Sequence, residues 1–366
     1  MNKRIAVLPG DGIGPEVVEQ AVRVLQAVAQ KYGHHFEFYH SEIGGAAFEK
    51  YGKHFPDTTK ELCSQVNAIL LGSVGGPVAE SHLLKWQNCE RNSLLQLRKQ
   101  FSFNANIRPL FLDEKLIELC PLKRAAQYGS LDLVVIRELI GDIYFGKHER
   151  SISDGIRSAI DVASYDEKQI YSVAKVAFEL AKARRGKVTS VDKANVLETS
   201  RLWREVVNEV ALSYPEIKLE HILVDNCAMK MVQNPWDFDV LLTPNLFGDI
   251  LSDLGASLIG SLGLLPSASI NTGSGFGLYE PAGGSAPDIA GKNQANPIAQ
   301  ILSAAMLLRH SFKMFEEASA IEKAVGSVLK NGFRTRDLWF GSGARSEELL
   351  STVEMTDAII RFLGDL

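Results

Sequence analysis

Asp249 and Asp253 stand four residues apart in Leu241-Leu242-Thr243-Pro244-Asn245-Leu246-Phe247-Gly248-Asp249-Ile250-Leu251-Ser252-Asp253. A helix after the apolar stretch that ends at Thr243 puts both carboxylates on one face. Like charges at that spacing cost ~0.2–0.5 kcal/mol unless something neutralises them. A hard divalent cation, Mg²⁺ or Mn²⁺, prefers such oxygens; a helix N-terminus or plain water would also accommodate them. Asp225 ends Ile222-Leu223-Val224, where open α/β sheets place functional groups, or else makes a turn with Asn226. Lys193 follows the strand-like Val188–Val191. Near a metal and a second cation a lysine can act as a general base, although most loop lysines are simply solvated.

Three arginines suggest the other half of a site. Arg98 lies in Leu94-Leu95-Gln96-Leu97-Arg98, Arg108 in Asn106-Ile107-Arg108-Pro109, and Arg137 ends Val134-Val135-Ile136. Guanidinium forks pair with carboxylates bidentately, so together they suit a dicarboxylate; singly, each reads as a surface residue. Tyr144 follows Arg137 within Gly141-Asp142-Ile143-Tyr144-Phe145-Gly146. The segment Tyr279 to Lys292 reads as a long Gly-, Ala- and Pro-rich loop. Such loops let backbone N–H groups approach a phosphate or adenine closely.

Elements of two periods must position these groups. Short apolar runs at Ile5–Leu8, Phe36–Tyr39, Ala68–Gly72, Leu131–Ile136, Val188–Val191, Glu220–Val224 and Val240–Thr243 read as strands. Between them, Pro15–Tyr32, Glu167–Arg184 and Glu198–Leu212 carry helical periodicity, as do Ile298–Phe312 and Ile321–Leu329 further on. This alternation predicts an α/β protein with a largely parallel sheet. Gly10-Asp11-Gly12-Ile13-Gly14-Pro15 invites a dinucleotide-binding reading, but Pro15 occupies the sixth position, where the fingerprint needs glycine. The turn is either a tight strand-to-helix connection or part of a different site.

The 366 residues suggest about two domains at roughly 150 residues each. With 39 basic and 44 acidic residues the net charge is −5, and no basic stripe marks a nucleic-acid binder. No window approaches the ~18 apolar residues of a membrane span, and Ile5–Leu8 is too short for a signal-peptide core. Cys63, Cys89, Cys120 and Cys227 are scattered, which argues against a zinc site or disulfide framework and fits a reducing, cytoplasmic setting.

The combination resembles the β-decarboxylating hydroxyacid dehydrogenase family, which includes the isocitrate and isopropylmalate enzymes. The resemblance rests on LPGDGIGPE, LLQLRK, NIRP, VVIRELIGDIYFG, VDKANVLETSRLWREVV, VDNCAM, LLTPNLFGDILSD and EPAGGSAPDIAGKNQANP, and runs nearly end to end. It implies a two-domain fold around a large mixed sheet, with residues 1–103 and 260–366 on the cofactor side. Residues 104–259 would carry the metal acids and the dimer interface. It further implies NAD-dependent oxidative decarboxylation of 3-isopropylmalate to 4-methyl-2-oxopentanoate, a step of leucine biosynthesis. Asp225, Asp249 and Asp253 would hold Mg²⁺ or Mn²⁺, Arg98, Arg108 and Arg137 the carboxylates, and Lys193 and Tyr144 would move protons. Leu94, Leu95 and Val196 would wall an isopropyl pocket, whose burial is worth ~2 kcal/mol. Asn195, Glu280, Gly283, Gly284, Ser285, Ala286, Pro287, Asp288, Ile289 and Asn296 would line the NAD site, with Asp288 on the ribose diol. Lys193 and Asp225 would come from the second subunit of a homodimer. A D-malate or tartrate enzyme, and a non-catalytic metabolite-binding relative, are the competing readings. Ile140, Asp142 and Gly283 replace the threonine, glycine and histidine common in the family.

Overall fold

The computed structural model describes residues 1–339 and 347–365. Its strands begin with β1 (Asn2–Gly10), β2 (His35–His40), β3 (Ala68–Ser73), β4 (Ala105–Leu112) and β5 (Leu131–Glu138). A hairpin of β6 (His148–Ser153) and β7 (Ile156–Asp161) forms its own small sheet. β8 (Lys187–Asp192), β9 (Lys218–Leu223), β10 (Val240–Thr243), β11 (Pro266–Ile270) and β12 (Gly277–Pro281) then follow. Ten of these form one sheet in the order β2-β1-β3-β12-β11-β4-β5-β10-β8-β9.

Both faces of that sheet are covered, which is why its strands read as unbroken apolar runs. Along β1, Ile5 and Val7 join the large core while Ala6 and Leu8 join a second one with Ile43, Phe55 and Leu97. The first helix, Gly14–Tyr32, buries Val17, Val18, Ala21, Val22, Leu25 and Val28. Pro15 suits its first turn, and Gly33, at φ 68°, ends it in the left-handed conformation.

The expected parallel sheet is interrupted at its centre. β11 runs antiparallel to both β12 and β4, and β4 runs antiparallel to β5. β11 and β12 are unforeseen, and Tyr279-Glu280-Pro281 is strand rather than loop. β9 also stops at Leu223 and a helix, Val224–Gln233, starts at once, so Asp225 sits in a first helical turn rather than at a strand end. The helix Ile298–Leu307 likewise ends early, passing into a wider π turn at Leu308–Phe312.

One buried acid governs how the chain leaves β5. Glu138 is fully buried and accepts the backbone N–H groups of Ile140 at 2.8 Å and Gly141 at 2.9 Å. It also bonds the Tyr165 hydroxyl, which in turn accepts the N–H of Asn245 at 2.8 Å. Burial outweighs these donors and raises the Glu138 carboxyl from 4.5 to about 7. The unfolded chain therefore releases this proton at lower pH than the folded one does. Stability should fall as pH rises from about 4.5 to about 7 and then level off. Urea midpoints across that window should decline less in Glu138→Gln than in the wild type. Equal slopes would show that Glu138 titrates normally.

Candidate active site

Strand register delivers the site's floor. In the antiparallel pair, Asn106 on β4 lies opposite Arg137 on β5, and Ser269 on β11 lies opposite Asn106. Glu280 on β12 lies opposite Ser267. Directly opposed residues share a face, as do residues two apart along a strand. Glu280, Ser267, Ser269, Asn106, Arg108 and Arg137 therefore make one polar row across four strands. Asn106 fastens the junction, donating to Ser267 Oγ at 2.7 Å and Ser269 Oγ at 3.1 Å.

All three arginines are buried and held by specific acceptors. Arg98, in the helix Leu94–Gln100, reaches Glu280 at 3.0 Å. Arg108 donates to Asn106 Oδ1 at 2.8 Å and to Ser252 Oγ at 2.6 Å. Arg137 donates to Asn245 Oδ1 at 3.0 and 2.8 Å and pairs with Asp249. Burial lowers the Arg137 guanidinium to about 10, with the charge of Arg108 acting in the same direction. An arginine that remains charged in such surroundings needs anions.

Asp249 and Asp253 occupy one face of the helix Asn245–Leu258, as their spacing predicts. Burial opposes the charge of Asp249, but Arg137 and Arg108 outweigh it and hold its carboxyl below the ordinary value. Burial dominates at Asp253, and Asp249 adds repulsion, so its carboxyl is raised. The Arg108 guanidinium lies 3.9 Å from Asp249 and 3.8 Å from Asp253. Tyr144 donates its hydroxyl to Asp249 Oδ2 at 2.8 Å. Burial, reinforced by Asp249, raises that phenol to about 12, so it keeps its proton near neutrality.

Lys193 and Asp225 form a separate pair at 2.6 Å. The lysine holds the exposed Asp225 carboxyl below its ordinary value. Asn195 and Val196 are exposed just beyond Lys193, with Val196 63% accessible. Among the described residues, no group of three His, Cys, Asp or Glu comes together to hold a metal. One chain thus presents two facing donors, Asp249 and Asp253, whose oxygen chemistry and mutual repulsion fit a hard cation.

The loop after β12 borders a cavity of about 360 Å³ lined by Ile13, Gly283, Gly284, Ala286, Ile289, Asn296 and Gln300, among others. Gln300 is 1% exposed, yet neither end of its carboxamide has a partner. Gly284 has nothing near its missing Cβ. An apolar cavity with spare hydrogen-bonding capacity fits a nucleotide. Asp288 is exposed on the same loop, and Asn296 donates to Asp337 at 3.0 Å.

The glycine motif packs directly against this loop. A Cβ on Gly12 would sit 1.9 Å from the Ser285 carbonyl oxygen, which accepts the Ile13 N–H at 2.8 Å. Asp11 accepts the N–H groups of Gly45, Ala46 and Gly75 at 2.9, 2.9 and 3.0 Å, tying the turn to its neighbours. Cys63, Cys89 and Cys227 are buried and unpaired, with thiols pushed up to about 12 by burial. Leu94 packs against the smaller core, whereas Leu95, half-buried, belongs to neither core. Asn106, Asn245 and Ser252, the arginines' neutral acceptors, carry no signal in the sequence beyond their place in strand or helix.

The 3-isopropylmalate dehydrogenase of Escherichia coli (strain K12) is 51% identical over 365 residues, covering 100% of this chain and 99% of that protein. The protein of the same name from Bacillus subtilis (strain 168) is 51% identical over 366 residues, with 98% and 96% covered. The crystal structure of isocitrate dehydrogenase from Methylococcus capsulatus matches with a TM-score of 0.86 at 36% identity, with 99% of each chain covered. A β-decarboxylating dehydrogenase from Thermococcus kodakarensis matches at 0.77 and 36%, over 99% of this chain and 96% of that one. Residues 4–359 match the isocitrate/isopropylmalate dehydrogenase family, and the chain belongs to it.

Proposed function

We propose that this chain is an NAD-dependent dehydrogenase that oxidises and decarboxylates 3-isopropylmalate to 4-methyl-2-oxopentanoate and CO₂, a step of leucine biosynthesis. The observation that carries the reading is the convergence of three buried arginines and Tyr144 around Asp249. Arg98, Arg108 and Arg137 grip the two substrate carboxylates through donors already stripped of water. Lys193 takes the 2-hydroxyl proton, and Tyr144 returns a proton to C3 once CO₂ has left. Mg²⁺ or Mn²⁺ on Asp249, Asp253 and Asp225 would supply Lewis-acid polarisation of the 2-oxygen, and NAD would accept the hydride from C2.

Leu94 and Leu95 stand one helical turn before Arg98, on its face of the helix. Of the two, Leu95 is free of core packing and supplies the contact for the isopropyl group, with Val196 as a further wall. Asp288 accepts the adenosine ribose diol and repels a 2′-phosphate, which favours NAD over NADP.

Lys193 and Asp225 reach the site from a second subunit, completing the metal set across a homodimer. The exposed apolar side chains support this arrangement: Met229 and Val232 beside Asp225, Ile250 on the helix of the metal acids, and Ile152, Ile156 and Ile160 on the β6–β7 hairpin. An isolated two-stranded hairpin is marginal in water, so a partner surface explains its persistence. The junction between β11 and β4 separates two domains, 1–103 with 260–366 and 104–259. Residues 340–346 and 366 of the first lie outside the described set. No helix among the described residues is long and apolar enough to cross a membrane, and the unpaired cysteines suit the cytoplasm.

The first test is NADH formation from 3-isopropylmalate with Mn²⁺, with and without EDTA, beside D-malate and NADP⁺. An EDTA-sensitive, NAD-dependent rate that D-malate does not match is the expected result. Preference for D-malate would overturn the leucine-pocket reading, and silence with every acid would indicate a binding protein. Asp249→Asn should weaken Mn²⁺ binding and lower turnover by two or more orders of magnitude with circular dichroism unchanged; near-normal turnover would remove Asp249 from the site. Asp288→Lys should move the cofactor preference toward NADP⁺, and an unaltered ratio would place the ribose elsewhere. Ile156→Glu with Ile160→Glu should yield monomers by light scattering that have lost turnover, whereas an active monomer would rule out shared sites.

A further inference from the structure

Asp142 lies in the loop after β5, and its backbone adopts φ 68°. That left-handed conformation strains most side chains, although aspartate tolerates it better than most. The residue is 8% exposed, so its carboxylate is not there for solubility. One oxygen accepts the N–H of Ile143 at 2.8 Å, and the other accepts the N–H of Leu246 at 3.0 Å.

Leu246 lies in the first turn of the helix that carries Asp249 and Asp253. That helix is preceded by Pro244, which offers no capping side chain. Its exposed donors are satisfied from outside instead, Asn245 by the Tyr165 hydroxyl and Leu246 by Asp142. A carboxylate at a helix N-terminus is also favoured by the helix dipole. Two residues after Asp142, Tyr144 bonds Asp249 one turn further along the same helix. Loop and helix are thus joined at two points, and the first sets the reach of the second.

We propose that Asp142 is a positioning residue: by capping the metal-acid helix from the neighbouring loop, it fixes the Tyr144 hydroxyl against Asp249. A glycine permits the same backbone but leaves Leu246 without its acceptor and the loop without its pin. This inference rests on the role given above to Tyr144 as proton donor to C3.

The test compares the wild type with Asp142→Gly and Asp142→Asn, as holoenzymes with Mn²⁺, NAD⁺ and 3-isopropylmalate. Asp142→Gly should lower kcat about tenfold, the scale of a lost charge-assisted hydrogen bond, while KM changes little. Its solvent deuterium isotope effect on kcat should rise, because slowed proton donation becomes limiting. Asp142→Asn keeps an acceptor oxygen for Leu246 and tolerates the left-handed backbone, so it should recover much of kcat. A lowered melting temperature with unchanged kcat and isotope effect would reduce Asp142 to a structural cap and overturn the proposal. A loss shared equally by both variants would overturn it too. Wild type inactive on isopropylmalate would instead sink the functional reading, and that result is in hand before any variant is made.

Discussion

Three guanidinium groups cannot easily shed their charge, yet Arg98, Arg108 and Arg137 are each 5% exposed or less. Everything near them answers that constraint. Glu280 and Asp249 supply charge, while Asn106, Asn245 and Ser252 supply neutral acceptors. Even so, Arg98 Nε is left without a partner. Burying such groups is costly on its own account, so the arrangement is poor as a stability device. Under the proposed function it makes sense as prepaid desolvation: the donors are dried during folding, before a carboxylate arrives.

The place where the arginines are buried follows from the sheet. In a purely parallel sheet the functional groups gather at the carboxyl ends of strands. Here the antiparallel strands β11 and β4 turn the centre into a platform, and a polar row crosses it at right angles to the strands. The bonds from Asn106 to Ser267 and Ser269 straddle the junction between β4 and β11. Glu280 and Arg98 stand on one side of that junction, Arg108 and Arg137 on the other.

Local patterns in the chain foretell the helices and the carboxylate face of Asn245–Leu258, because i, i+4 spacing is a property of one segment. They do not foretell the platform. Pro266-Ser267-Ala268-Ser269-Ile270 lacks the β-branched run that marks a strand, and it pairs through partners far away in the chain. Glu280 read as a loop acid for the same reason, although its principal contact is Arg98, 182 residues distant. Asp225 was misplaced by one boundary, since β9 and the helix after it share no turn residue between Leu223 and Val224. The role of Asp142 was hidden more deeply, because its partner Leu246 is a backbone group and backbone donors leave no trace in sequence.

Asp249 is where these constraints meet. One carboxylate oxygen faces Arg137 and the other faces the Tyr144 hydroxyl, with Arg108 nearby. The same carboxylate belongs to the pair suited to a divalent cation. Its negative charge is therefore shared among three tasks that draw on it in opposite ways. Under the proposed function, a cation that took part of that charge would weaken the hold on Arg137 and free its guanidinium for a substrate carboxylate. Burial is the main cause of the raised Tyr144 phenol, but the part that Asp249 adds would weaken as well, which would make the phenol a better acid. Metal binding, carboxylate capture and proton donation would thereby be linked through a single side chain. By reciprocity, a bound dicarboxylate that satisfied Arg137 would release Asp249 to hold the metal more tightly.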